Sequence, residues 1–179
     1  MSEAIGISRR QFVAFAVPAA ALATLPTYSK ACAAMTAARG DEMITLTPYL
    51  LFDGSCHAAM EFYKSVFAGE LTTTKVKDSP AKDHMPAFQQ DKVINARLRS
   101  GAIEISASDW LMPNRTPVRG NTVCLYLSGG TFEELKTFFA KLSEGADVTD
   151  PLKEMFFGAY GALNDIFGVR WMFQANKQS

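Results

Sequence analysis

The chain has 179 residues, 48% of them hydrophobic, which predicts one globular domain plus an appendage. Its 18 basic and 18 acidic residues cancel to a formal net charge of zero, and no long block of like charge occurs. The composition therefore provides no electrostatic field that would draw the chain to nucleic acid or to an acidic membrane surface.

The first 34 residues have the features of a signal peptide that is removed after export. Arg9 and Arg10 precede an apolar run over 12–25, which is shorter than the roughly 20 residues needed to cross a bilayer. A basic start, an apolar middle and a small-residue end are typical of a cleaved signal, and the arginine pair resembles the twin-arginine type. The alternative is an uncleaved anchor or a chance arginine pair. We expect a periplasmic protein with a linker over 35–43 and no membrane contact after signal removal.

The first half of the domain is predicted to be a strand, a helix and three further strands. The first strand covers 44–52, and Pro48 places it at a sheet edge or near the strand start. Ser55 is the predicted N-cap of a helix whose apolar residues recur at three- and four-residue spacing, and Gly69 is its predicted C-cap. The remaining predictions in this half are strands over 70–77, 92–99 and 102–108, and a mobile polar loop over 78–91.

The second half repeats this order of elements after a crossover over 110–120. Its predicted elements are a strand over 121–127, a helix capped by Thr131, and strands over 146–155, 160–166 and 169–174. The motif Leu-x-Phe-x-Gly over 50–54 aligns with Leu-x-Leu-x-Gly over 125–129. Internal similarity of this kind indicates a duplication, and the cleft between the two modules is the expected binding site.

Three motifs support a family resemblance. They are Pro-Tyr-Leu-Leu-Phe-Asp-Gly over 48–54, Ser-Ala-Ser-Asp over 106–109, and Glu-Met-Phe-Phe-Gly over 154–158. With these motifs the chain resembles the PhnB-like branch of the vicinal oxygen chelate superfamily, which includes glyoxalases, bleomycin-resistance proteins and extradiol dioxygenases. That branch has been described as demethylubiquinone-methyltransferase-like, although the sequence has no Gly-rich strand–helix turn for a nucleotide cofactor.

The resemblance implies an α+β domain over 44–175. Its two βαβββ modules, 44–109 and 121–175, are expected to form a curved mixed sheet with a central cleft. The resemblance also implies a homodimer. Whether the modules pair within one chain or across two chains is left open.

The superfamily usually holds a divalent metal on His and Glu ligands at four strand positions. In this sequence those positions fall at Leu46 or Thr47, Glu104, Thr122 and Met172. A single carboxylate is a poor ligand set for such an ion. Asn95, moreover, stands where the branch commonly has a histidine. We therefore expect no metal and no other cofactor.

Glu104 is the candidate catalytic residue, because it alternates with Ile103 and Ile105 and faces the cleft if they face the helices. There it would act as a general base, with a raised pKa if desolvated; the alternative is a solvent-facing strand residue. Asn95, on the neighbouring strand, is a candidate for contact with the ligand or for a local hydrogen bond. Further candidate ligand-binding residues are Trp110, Glu154, Phe157 and Tyr160, although core packing explains the aromatic ones equally well.

Three functions remain open. The first is an exported, metal-free protein that binds a small aromatic or amphipathic molecule. The second is a lyase, isomerase or dioxygenase-like enzyme that uses Glu104 as base and Asn95 to orient the substrate. The third is a non-catalytic dimeric scaffold. Whether the protein is an enzyme is not decided by the sequence.

Overall fold

The computed structural model describes residues 44–112, 115 and 117–176. The predicted signal peptide and linker lie outside the described residues. Within the described part of the chain, no helix combines the length and the apolar character needed to span a membrane.

The first module is a mixed four-stranded sheet with helix α1 packed on one face. Its elements are β1 (Tyr49–Phe52), α1 (Cys56–Phe67), β2 (Glu70–Lys75), β3 (Val93–Ser100) and β4 (Ile103–Asp109). The strands lie in the order β1-β4-β3-β2, with β1 parallel to β4 and the other neighbours antiparallel.

The second module repeats this topology. Its elements are β5 (Leu125–Ser128), α2 (Phe132–Leu142), β6 (Asp147–Met155), β7 (Gly158–Asn164) and β8 (Arg170–Asn176). The strands lie in the order β5-β8-β7-β6, and β5 is parallel to β8. The predicted α+β fold of two similar modules is confirmed.

The repeated glycine in the two aligned motifs has the same conformational role in each module. Gly54 has a φ of 82° and Gly129 a φ of 87°, each in the turn between the first strand and the helix. These left-handed angles are strained for other residues, so a glycine is needed at both turns.

The two modules share one hydrophobic core, because α1 packs against the second module as well as its own sheet. The Tyr63 ring lies 5.5 Å from the Trp171 ring of β8, and the Phe67 ring lies 5.2 Å from the Phe138 ring of α2. Aromatic contacts at these distances bury large apolar areas. The two modules of one chain therefore pack together through α1.

The segment predicted to be a mobile loop has more local structure than expected. It contains two short 3₁₀ helices, Pro80–His84 and Ala87–Gln89, and a third, Val76–Asp78, replaces the end of the strand predicted before it. The buried Gln89 side chain donates a hydrogen bond to the carbonyl oxygen of Leu111 at 2.9 Å, which ties the segment to the chain beyond β4. Polar composition alone did not reveal this anchoring contact.

The first strand of each module is shorter than predicted. β1 begins at Tyr49 instead of residue 44, and β5 begins at Leu125 instead of residue 121. Both are edge strands, and each pairs with its neighbour over four residues only. A strand needs a hydrogen-bonded partner, so apolar character alone overestimates its length.

The caps of α1 differ from the sequence prediction. The Ser55 side chain makes no capping hydrogen bond, and the backbone N–H of Cys56 donates instead to Oδ1 of Asp109 at 3.0 Å. At the other end, the left-handed residue is Ala68, with a φ of 54°. Gly69 is required for a different reason, because a Cβ there would collide with the backbone oxygen of Arg99.

The cap of α2 is confirmed. Oγ1 of Thr131 accepts a hydrogen bond from the backbone N–H of Glu134 at 3.2 Å, and Oε2 of Glu134 accepts one from the backbone N–H of Thr131 at 2.7 Å. This reciprocal pair is a capping box, a local device that depends only on two residues three positions apart.

Candidate functional site

A cavity of about 430 Å³ lies between the first strands of the two modules. Its wall is formed by residues 49–51 of β1, Trp110, the crossover residues 117–120 and 123–125, and the β7–β8 turn over 168–170. Small-molecule sites in proteins commonly measure about 300–1,000 Å³. The cavity therefore has the size of a ligand site.

The β1 side of the cavity is aromatic and apolar. Tyr49 and Leu51 pair with Ser106 and Ser108 on the face of the sheet that α1 does not cover, and they are 53% and 48% exposed. Trp110 follows β4 directly, and its backbone N–H donates to the carbonyl oxygen of Phe52 at 2.6 Å. Its indole N–H is buried and has no hydrogen-bond partner among the described residues.

Two arginines, Arg119 and Arg170, supply the charge of the cavity wall. A Cβ built on Gly168 would collide with Nη1 of Arg119, so the guanidinium lies against the backbone of the β7–β8 turn. Within the part of the chain that the structure describes, neither arginine forms an ion pair and the cavity wall contains no acidic residue. The cavity is therefore locally positive, although the whole chain is neutral.

The β7–β8 turn that forms one wall is held by the buried carboxylate of Asp165. Oδ1 accepts hydrogen bonds from the backbone N–H groups of Phe167 and Val169, both at 2.9 Å. Oδ2 accepts from the Tyr63 hydroxyl at 2.7 Å and from Nε1–H of Trp171 at 2.8 Å. Burial, together with the charge of Asp165, raises the pKa of Tyr63 well above its usual range, so the phenol remains a donor.

Glu104 lies on the open face of the first sheet, which is the face opposite α1 that carries Asn95, Arg97, Arg99, Glu104 and Ser106. Its Oε1 accepts hydrogen bonds from Arg97, and its Oε2 accepts one from Nε of Arg99 at 3.3 Å. The hydrogen bond from Arg97 is the main cause that lowers the pKa of Glu104. The raised pKa expected for a desolvated base is therefore not found, and the catalytic role of Glu104 stays a prediction.

Asn95 and Glu104 are not brought together. The register places Glu104 opposite Arg99, four residues beyond Asn95 on the same strand. At the usual rise per residue this corresponds to about 13 Å along the strand. The pair thus lacks the proximity that a shared role in catalysis requires.

The remaining predicted site residues belong to the β6–β7 hairpin. Glu154 pairs with the buried Ala159 on the helix side of the sheet, whereas Tyr160 pairs with Lys153 on the other face. The Phe157 ring lies 6.4 Å from the Tyr160 ring. Trp110 is the predicted ligand-binding residue that lines the cavity, and the ligand-binding roles of the others stay predictions.

The superfamily's metal positions do not offer a fitting donor set. Glu104 is the one carboxylate among them, and two arginines already occupy its oxygens. The described residues contain no group of three His, Cys, Asp or Glu side chains that would hold a metal ion. No chemical step is therefore assigned to a metal, and the expectation of no cofactor stays a prediction.

The two cysteines in the described part of the chain are free thiols. Burial, assisted by the charge of Asp109, raises the pKa of Cys56 to about 12, so this thiol is protonated at neutral pH and is a poor nucleophile. Cys124 is partly exposed and lines the cavity.

Known proteins are similar in sequence to this chain over most of its length. A family model described as 3-demethylubiquinone-9 3-methyltransferase matches residues 44–174. Protein YjdN of Escherichia coli (strain K12) is 28% identical over 145 residues, which cover 74% of this chain and 96% of that protein.

Two solved structures resemble the chain in sequence as well as in fold. Protein PA1353 from Pseudomonas aeruginosa is 32% identical with a TM-score of 0.65, and the match covers 76% of this chain and all of that one. The PhnB protein from Bacillus cereus is 27% identical with a TM-score of 0.60, and the match covers 74% of this chain and 99% of that one. A glyoxylase/bleomycin resistance protein/dioxygenase domain from Frankia sp. EAN1pec shares the fold alone. It is 13% identical with a TM-score of 0.52, and the match covers 77% of this chain and 96% of that one.

Proposed function

The chain belongs to the family described as 3-demethylubiquinone-9 3-methyltransferase, and from this premise we propose that it is a small-molecule-binding protein whose ligand occupies the cavity between β1 and β5. The observation that carries the proposal is the cavity itself, which combines apolar and aromatic walls with a few polar groups. That combination is typical of small-molecule sites, where apolar contact provides affinity and polar groups fix orientation.

Binding is favoured over the chemistry in the family's description. A methyltransferase needs a site for its methyl donor, and the sequence has no Gly-rich strand–helix turn of the kind that binds a nucleotide cofactor. The lyase, isomerase or dioxygenase-like alternative depended on Glu104 as base. A carboxylate whose pKa is lowered by Arg97 is a weaker base than usual at neutral pH.

The cavity can be tested by blocking it with Gly120→Trp. Gly120 lines the cavity, its backbone lies outside the left-handed region, and an added Cβ meets no atom within 4 Å. A tryptophan there should fill the cavity without straining the fold. We expect the wild-type chain to bind about one molecule of 1-anilinonaphthalene-8-sulfonate or of the neutral N-phenyl-1-naphthylamine, and the variant to bind at least about tenfold more weakly. Fluorescence titration measures both.

Lys136→Trp is the matched control, since it places the same bulky side chain on the exposed surface of α2. It should leave the affinity and stoichiometry of both dyes unchanged. The proposal would be contradicted if neither dye bound the wild-type chain, or if Gly120→Trp, folded by circular dichroism, bound both dyes as the wild type does.

Export to the periplasm is proposed from Arg9, Arg10 and the apolar run that follows them. With both arginines replaced by lysine, we expect the protein to stay in the cytoplasm of a Gram-negative host, as measured by cell fractionation and immunoblotting. Lys30→Arg, a conservative change in the same segment, should be exported normally. Arrival of the double variant in the periplasm would exclude the twin-arginine route. The homodimer likewise stays a prediction.

A further inference from the structure

We propose that the cavity selects a small anionic amphiphile, whose oxyanion group binds Arg119 and Arg170 and whose flat apolar part lies against Tyr49 and Trp110. The inference rests on the proposed function and adds the chemical class of the ligand. A carboxylate, a sulfonate and a phosphate share the relevant chemistry, because each presents two or more oxygens to a guanidinium fork.

The charge of the cavity wall is the first argument. Arg97 and Arg99, on the open face of the same domain, both bind the carboxylate of Glu104. Arg119 and Arg170 have no such partner among the described residues, and no described acidic side chain lines the cavity with them. Two positive side chains on one wall favour the binding of an anion there. The cavity is thus complementary to an anion before any ligand is present.

The position of Arg119 is the second argument. Its guanidinium lies against Gly168, where a Cβ would collide with Nη1. Gly168 has a φ of 77° in the β7–β8 turn, and Arg170 follows two residues later at the start of β8. The Cα atoms of Gly168 and Arg170 are therefore at most about 7 Å apart. The fold brings one guanidinium from the crossover to the same turn that carries the other.

The opposite wall accounts for the apolar part of the ligand. Tyr49 and Leu51 expose about half of their side chains, and Val123 is 77% exposed, so the cavity presents apolar surface that the fold leaves uncovered. The buried indole N–H of Trp110, a residue of the same wall, has no hydrogen-bond partner among the residues that the structure describes. A buried donor without a partner is unfavourable, and a ligand acceptor would satisfy it.

The test compares two dyes that share an anilinonaphthalene frame and differ in the sulfonate. The full chain should bind 1-anilinonaphthalene-8-sulfonate at least about tenfold more tightly than neutral N-phenyl-1-naphthylamine, because one charge-assisted contact is expected to be worth about that factor. Arg119→Gln and Arg170→Gln should each weaken sulfonate binding by about tenfold and change binding of the neutral dye by less than about twofold.

Lys136→Gln is the control for net charge, since it removes one positive charge from the exposed surface of α2. It should leave both affinities unchanged at physiological ionic strength. The inference is overturned if the neutral dye binds as tightly as the sulfonate, or if the arginine variants bind the sulfonate as the wild type does. If Gly120→Trp still blocks both dyes in that case, the proposed binding function stands and only the anionic class of ligand is wrong.

Discussion

Asp165→Asn is expected to lower the free energy of unfolding by about 3 kcal/mol, because it disrupts a buried network in which each unsatisfied group costs about 1–3 kcal/mol. The carboxylate accepts four hydrogen bonds and is 5% exposed. The amide that replaces Oδ2 would face Nε1–H of Trp171, which is a donor only. The amide NH₂ and the indole N–H would oppose each other inside the core that the modules share.

Urea unfolding followed by tryptophan fluorescence measures this effect, with an unchanged m-value as the check that both proteins unfold in the same way. Tyr63→Phe removes one of the four donors and should cost less, about 1–2 kcal/mol. Asp147→Asn, which alters an exposed hydrogen bond to Asn164, is the control and should change stability by less than about 0.5 kcal/mol. A loss for Asp165→Asn as small as that of the control would show that the network does not stabilise the fold.

Asp109→Ala is expected to cost about 3 kcal/mol, since it removes the acceptor of two backbone donors at once. Oδ1 accepts from the N–H of Cys56 at the start of α1, and Oδ2 accepts from the N–H of Val93 at the start of β3 at 2.8 Å. Both N–H groups would be left buried without a partner. The carboxylate also lies at the positive end of the helix dipole, which adds to its stabilising effect.

Ser55→Ala is the comparison that makes this experiment decisive. Ser55 is the residue that sequence patterns predict as the N-cap of α1, yet its side chain makes no capping hydrogen bond. The alanine variant should therefore lose less than about 0.5 kcal/mol, against the roughly 1 kcal/mol typical of a lost cap. If Ser55→Ala cost more than Asp109→Ala in urea unfolding, the cap would belong to the serine after all.

The network around Asp165 also links the cavity to the core. Its Oδ1 holds the β7–β8 turn, and its Oδ2 holds Tyr63 of α1. The wall that carries Arg170 is consequently anchored on a helix of the other module. A binding wall supported by buried hydrogen bonds is pre-organised, which reduces the entropy lost when a ligand binds.

Several features were determined by the sequence itself, because they depend on neighbours within a few residues. The capping box of Thr131 and Glu134 needs only their spacing. The repeated glycines, Gly54 and Gly129, mark equivalent turns with left-handed angles. Apolar periodicity located both helices and the duplicated order of strands. The Arg99–Glu104 ion pair also depends on near neighbours, because the tight turn at Gly101 sets the β3–β4 register that places the two residues opposite each other.

Other features were decided only by the tertiary structure, because their partners are far apart in the chain. Asp109 caps a helix that begins 53 residues earlier, and Asp165 binds a tyrosine 102 residues away. The cavity likewise combines β1, the crossover and the β7–β8 turn. No local pattern encodes which distant donor meets a given carboxylate, since that depends on how the two modules pack. Sequence reasoning thus found the fold but expected its candidate base in the cleft, whereas packing placed Glu104 on the open face and two arginines at the cavity.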